Sequence, residues 1–150
     1  MIDPARLVLY FFIYALLGWC AEVAFAAVKE RALVNRGFLN GPLCPIYGFG
    51  MVGLLAVLGG WRRNLLAVFF IGMALATLLE LVGGYLLYRL FHTRWWDYSQ
   101  NRGNLGGFIC PKFSLLWGAA GVAVVMGLHP LLAAPVGRLP RAAVMALDVL

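Results

Sequence analysis

The sequence predicts an all-α integral membrane protein: about four transmembrane helices forming two tandem parallel helical-hairpin repeats, plus a short C-terminal amphipathic or truncated helix. Three observations predict it. Of 150 residues, 63% are hydrophobic and 12% charged. Four apolar runs long enough to cross a bilayer are separated by short basic stretches. An eleven-residue motif occurs twice, each time between two such runs. A soluble domain carries about 25% charged residues, so a water-soluble globule is excluded. Disorder, which needs low hydrophobicity and high charge, is excluded as well. The net charge of +6 comes from basic residues lying between apolar runs, as they do in loops that flank membrane spans. Nucleic acid is therefore not an expected partner.

Residues 1–6 are short, contain Asp3, and lead into an apolar run too long for the core of a signal peptide. The first span, about residues 7–28, is thus expected to be retained. Span two covers about residues 44–60 and span three about 64–92. Span four covers about 113–134. Crossing the hydrocarbon core takes roughly 17–25 helical residues, so span three should tilt or protrude, with Tyr85, Tyr88, Arg89 and His92 at its interfacial end. The tail, 135–150, is too short to span. The whole chain is expected to be one membrane domain, with repeat one at about 7–60 and repeat two at about 64–134. Counting spans puts residues 29–43 and 93–112 on one side of the bilayer. Basic residues divide seven against five between the two sides, which leaves the orientation open.

Residues 35–45 read NRGFLNGPLCP and residues 101–111 read NRGNLGGFICP, identical at seven of eleven positions without a gap. Each copy follows a span with one acidic residue, Glu22 or Glu80, and precedes another span. Two-span units have the same orientation, so the repeats are parallel and related by a pseudo-two-fold axis along the membrane normal.

Glu22 and Glu80 lie roughly 9–18 Å below the motif-side ends of their helices, at about 1.5 Å per residue. A carboxylate at that depth costs roughly 2.5–3.5 kcal/mol on insertion scales, so it must face a partner or water. It serves either as a polar lock between helices or as a substrate, ion or proton site. Arg36 and Arg102, each between Asn and Gly (Asn35, Asn101), are the expected partners. Otherwise they hold an anionic headgroup, or are flanking residues reaching the interface. Pro45 and Pro111 suit first turns of helices. Cys44 and Cys110 then sit at helix N-termini, where the helix field can lower a thiol pKa. They form a candidate thiol pair, although small buried cysteines are commoner. Neither a metal site nor a cofactor is expected, since two cysteines without histidines at ligand spacing do not make one. The stretch Trp95-Trp96-Asp97-Tyr98 reads as an interfacial aromatic belt or as Asp97 held over the site. Tyr47 and Trp117 fall just inside their helices, where they could line it. The candidate substrate-binding set is therefore Glu22, Asn35, Arg36, Tyr47, Glu80, Asp97, Asn101 and Arg102. No Walker A, Gly-x-Ser-x-Gly or HExxH sequence occurs.

These motifs are familiar together. Gly18-Trp19 with Glu22, Asn35-Arg36-Gly37-Phe38-Leu39, Gly41-Pro42, Cys44-Pro45-Ile46-Tyr47-Gly48, Glu80, Trp96-Asp97-Tyr98 and Trp117-Gly118 resemble the bacterial family of ABC-transporter type IV (CmpB-like) membrane proteins. The resemblance covers about residues 7–134. It implies a multi-pass protein of the bacterial plasma membrane, nominally a permease, with a separate ATPase subunit as a partner to be considered. Membrane lipids and further copies of the chain are the other expected partners. The leading expectation for function is a small transporter or permease subunit with a polar intramembrane site built on paired carboxylates. Two alternatives stand beside it: an intramembrane enzyme acting on a lipid headgroup, and a structural or regulatory subunit of a membrane complex.

Overall fold

A computed structural model describes residues 3–37 and 41–147. Phe38, Leu39 and Asn40 of the first motif copy lie outside the described residues. Among the described residues, regular structure is helical apart from one isolated bridge between Leu105 and Ile109. Helix α1 runs Pro4–Glu30, α2 Pro45–Leu58 and α3 Leu65–Phe91. Helix α4, Pro111–Val122, passes through a π-helical turn, Ala123–Leu128, into α5, His129–Arg138; α6 is Arg141–Leu147.

The ends follow from local chemistry. Asp3 caps α1 by accepting a hydrogen bond from the Ala5 amide (3.3 Å), and Pro4 takes the first turn, where its missing N–H is no loss. Asn64 caps α3 through the Ala67 amide at 3.0 Å. Arg31 and His92 close α1 and α3 in the left-handed conformation, φ 54° and 53°. His92, expected at the interface, is thus the stop of its helix. Helices α2 and α4 begin at Pro45 and Pro111, as the sequence predicts.

Among the described residues, three helical segments are long and apolar enough to cross a membrane: Pro4–Glu30, Leu65–Phe91 and Pro111–Arg138. Their surfaces expose large apolar side chains such as Phe25, Leu66, Phe70, Leu78 and Leu131. Water would drive such faces together, whereas hydrocarbon solvates them. Helix α2 has 14 residues and is continued by a 3-10 turn, Gly59–Arg63. The last long helix also departs from expectation, running through Pro135 to Arg138 rather than stopping at 134. In a membrane helix the carbonyl freed by a proline can be satisfied by local adjustment. The π-helical turn ends two residues before Pro130, which cannot donate to the carbonyl four residues back.

The chain divides into two compact units, one drawn from residues 1–53 and 136–150, the other from 54–135. In the first, the Cys44 amide donates to the Ala15 carbonyl of α1 (2.9 Å), and Phe11 meets Phe49 edge to face at 4.9 Å. The tail packs here too: Arg141 pairs with Asp3 at 3.6 Å, Arg6 donates to the Gly137 carbonyl, and Val136 and Val144 are buried. In the second, α3 and α4 form a hairpin whose backbones approach at Gly72 and Gly121 against Leu54. Small residues allow such contact where no hydrophobic force drives helices together. The Thr77 and Ser114 hydroxyls join the same two helices at 2.8 Å.

Candidate functional site

Each unit places one carboxylate on a phenol. Glu22 lies eight residues before the end of α1, about 12 Å at 1.5 Å per residue. Its Oε1 accepts a hydrogen bond from the Tyr47 hydroxyl at 2.6 Å. Its Oε2 lies 3.6 Å from Arg36 Nη1. Arg36 Nη2 reaches Glu30 Oε1 at 3.1 Å, so one guanidinium spans two acids two helical turns apart. Arg36 is positioned by its neighbours. Asn35 Oδ1 accepts from the Trp19 indole N–H (2.7 Å) and from the Gly37 amide (3.0 Å), which turns the chain back toward α1. About a third of the Arg36 and Glu22 side chains remains exposed, so in water such a pair is worth about 0.2–1 kcal/mol.

In the second unit Glu80 lies eleven residues before the end of α3, about 16 Å along the helix. Its Oε1 accepts from the Tyr98 hydroxyl at 2.7 Å. The residue is 6% exposed, and Oε2 is buried with no hydrogen bond of ordinary geometry. The Trp117 indole lies beside Glu80 and Tyr98 and interacts with both. Tyr98 stacks on Phe113 with ring centroids 4.4 Å apart and planes 13° from parallel. Phe113 occupies in the second motif the place that Tyr47 holds in the first. The hydroxyl absent from Phe113 is therefore supplied by the ring stacked on it. Burial first, then the adjoining Glu80 carboxylate, push the Tyr98 phenol far up, so it remains a donor.

The loop that delivers Tyr98 is built by its polar residues. The Tyr98 amide donates to the Gly107 carbonyl (2.8 Å), and the Trp96 indole donates to the Phe108 carbonyl (2.9 Å). Arg94 donates to the Gly106 carbonyl at 2.8 Å and lies over the rings of Tyr88 and Phe108. Asn101 donates its amide to the Tyr98 carbonyl, and Asn104 ties to the carbonyls of Ser99 and Asn101.

Asp97 does not join the carboxylate cluster. It is exposed, and accepts hydrogen bonds from the Ser99 hydroxyl and amide with Arg94 Nη1 3.4 Å away. The Ser99 hydroxyl, the Ser99 amide and then Arg94 hold its carboxyl below the usual carboxylate range. A depressed folded pKa gives support that is present above the ordinary carboxylate pKa and lost as pH falls through the lowered value. Acidification through that range is therefore expected to loosen residues 94–108, measured by faster amide hydrogen exchange. Asp97→Asn should show the loosening at neutral pH and no further acid response.

The remaining candidates separate. Arg102 is exposed and, among the described residues, forms no ion pair, so the expected Arg102–Glu80 pairing is absent there. Cys44 and Cys110 are free and buried, each within its own unit. Sequence reading missed the role of Glu30, which the two-turn spacing from Glu22 could have signalled. It also missed Tyr98 as the phenol on Glu80; the Tyr47-to-Phe113 change between motif copies was the available signal. Among the described residues no group of three potential metal ligands occurs.

Long apolar helices with solvent-averse surfaces and carboxylates set within them define a multi-pass helical membrane protein. The chain belongs to the family described as "Putative ABC-transporter type IV", whose model matches residues 9–150. No curated protein and no solved structure matches the chain.

Proposed function

We propose that the protein is a small transporter or permease subunit of the bacterial plasma membrane, with four spans in two parallel repeats and a pair of intramembrane carboxylates as its working groups. The observation that carries this reading is the recurrence, once in each unit, of a helix-borne glutamate accepting a hydrogen bond from a tyrosine: Tyr47 on Glu22 and Tyr98 on Glu80. A polar lock needs no such duplication, and intramembrane carboxylates mark ion and substrate pathways. The motif identity and the two-unit division support the repeat. The fourth span is supported by α2 with its 3-10 continuation, nineteen residues or about 30 Å of helix. Glu22 and Glu80 bind the substrate or coupling ion. Asn35, Arg36 and Tyr47 order the first site. Tyr98, held by the Asp97 and Asn101 loop, orders the second, and Arg102 offers positive charge at the surface. The family supports an ATPase subunit as a partner, and the apolar surface supports lipids and further copies of the chain.

The test is native mass spectrometry of the gently solubilised protein beside a Glu22→Gln, Glu80→Gln double variant, followed by uptake of the released ligand into proteoliposomes. The expected result is a small molecule or lipid bound to the wild type and absent from the folded variant, with uptake lost in the variant. A ligand that stays on the double variant, or full uptake by it, would overturn the reading.

A further inference from the structure

The two carboxylates differ in how their oxygens are satisfied. Both Glu22 oxygens face donors, the Tyr47 hydroxyl and the Arg36 guanidinium. Glu80 meets neutral donors only, the Tyr98 hydroxyl on Oε1 and the Trp117 indole beside the carboxyl, and Oε2 is buried with no hydrogen bond of ordinary geometry. The groups around it are spoken for. The Thr77 hydroxyl, one turn below, bonds to Ser114 and to the Met73 carbonyl, and Ser114 reaches the Cys110 carbonyl. The Tyr98 hydroxyl is on Oε1, Trp117 flanks the cluster, and the Cys110 thiol lies near Tyr98. Arg94 is held by Gly106, Asp97 and two rings, and Lys112 lies over Phe113 at 5.8 Å. Among the described residues no basic side chain pairs with Glu80.

A carboxylate buried against neutral donors with no cation beside it is costly, whereas a neutral carboxylic acid in the same place leaves no charge to compensate. A metal cation is the other way to fill the position. Hard cations collect about six oxygen ligands, and here one carboxylate stands among a phenol, an indole and a thiol. We propose that the ion handled at Glu80 is a proton, carried on Oε2, whereas Glu22 is occupied by Tyr47 and Arg36. In the step, an O–H bond forms on Oε2 with a proton taken from water, and breaks to return that proton to water. Tyr98 keeps its own proton and holds Oε1 through both states. The proposal rests on the reading of the carboxylates as working groups and names the ion for one of them.

The experiment is labelling of the full-length protein in liposomes with dicyclohexylcarbodiimide, read residue by residue by peptide mass spectrometry. Only the protonated acid reacts. Its proton moves to a carbodiimide nitrogen, its oxygen adds to the central carbon, and the adduct rearranges to an N-acylurea without loss of atoms. Near neutral pH, Glu80 should be modified and Glu22, which lies beside the Arg36 guanidinium, should not. Labelling should fall as pH rises and be indifferent to sodium or potassium at constant ionic strength. Infrared spectra should show a neutral carboxylic-acid carbonyl band that Glu80→Gln removes. Unlabelled Glu80 with no such band, equal labelling of both glutamates, or protection by sodium or potassium would each overturn the assignment. Failure here with ligand and uptake still lost in the double variant leaves the transport reading standing. Labelling as expected beside a double variant that keeps its ligand and uptake overturns the transport reading instead.

Discussion

Gly107→Ala is expected to destabilise the second unit by about 2–4 kcal/mol and to take Tyr98 off Glu80. Two effects add. Gly107 has φ +75°, where a side chain costs about 1–2 kcal/mol. A Cβ there would also stand 2.6 Å from Ser99 Oγ and 2.7 Å from Asp97 Oδ1, and would run into the Arg94 guanidinium. Those groups shape the loop, and the Gly107 carbonyl itself holds the Tyr98 amide. Gly106→Ala is the matched control. It has the same backbone sign, φ +57°, but its nearest neighbour is a Phe108 ring carbon at 3.3 Å. It should cost only the backbone strain, about 1–2 kcal/mol. Thermal melting in detergent compares the two, and faster hydrogen exchange at Tyr98 reports the displaced loop. Equal losses for both variants would show that the Arg94–Asp97–Ser99 cluster does not hold the loop.

Gly18→Ala is expected to cost about 3 kcal/mol or more in the first unit, from overpacking together with loss of the Tyr47–Glu22 hydrogen bond. The added Cβ would lie 2.5 Å from Tyr47 Cδ2 and 2.6 Å from Tyr47 Cβ. Because Tyr47 Cβ is fixed to the backbone, rotating the ring cannot relieve the contact. Helix α1 and the start of α2 must separate, which draws the phenol off Glu22 and leaves Arg36 as its neighbour. Gly127→Ala, with nothing within 4 Å of its added Cβ, should change stability by no more than about 1 kcal/mol. Melting temperature and the ultraviolet signature of the Tyr47 phenol separate the variants. An unaffected Gly18→Ala protein would mean that the helices are not held as closely as their contact indicates.

The Asn-Arg-Gly motif was legible as a unit, but its two copies do not make the same contacts. Arg36 reaches Glu22 and Glu30, while Arg102 is exposed. The flanking loop explains the difference. The second copy closes on Asn101, Asn104, Gly106 and Gly107, whose hydrogen bonds join residues up to twelve apart. No periodicity announces such bonds. Asp97 drew attention as an acid near the motif, yet its charge is used on Ser99 and Arg94. Its neighbour Tyr98 carries the contact to the buried carboxyl.

The sequence by itself determined the solvent the protein needs, the approximate reach of its long helices, and the two residues whose burial must be compensated. These depend on local quantities: apolar run length, capping side chains such as Asp3 and Asn64, prolines at first turns, and the cost of a charge in hydrocarbon. Only the tertiary structure decided which groups compensate each glutamate. Glu22 is met by a phenol and a guanidinium, Glu80 by a phenol stacked on the ring at the matching motif position and by an indole, with no cation. That choice depends on how a loop folds back across tens of residues to place a hydroxyl within 3 Å, a distance set by chain closure and packing rather than by residue type.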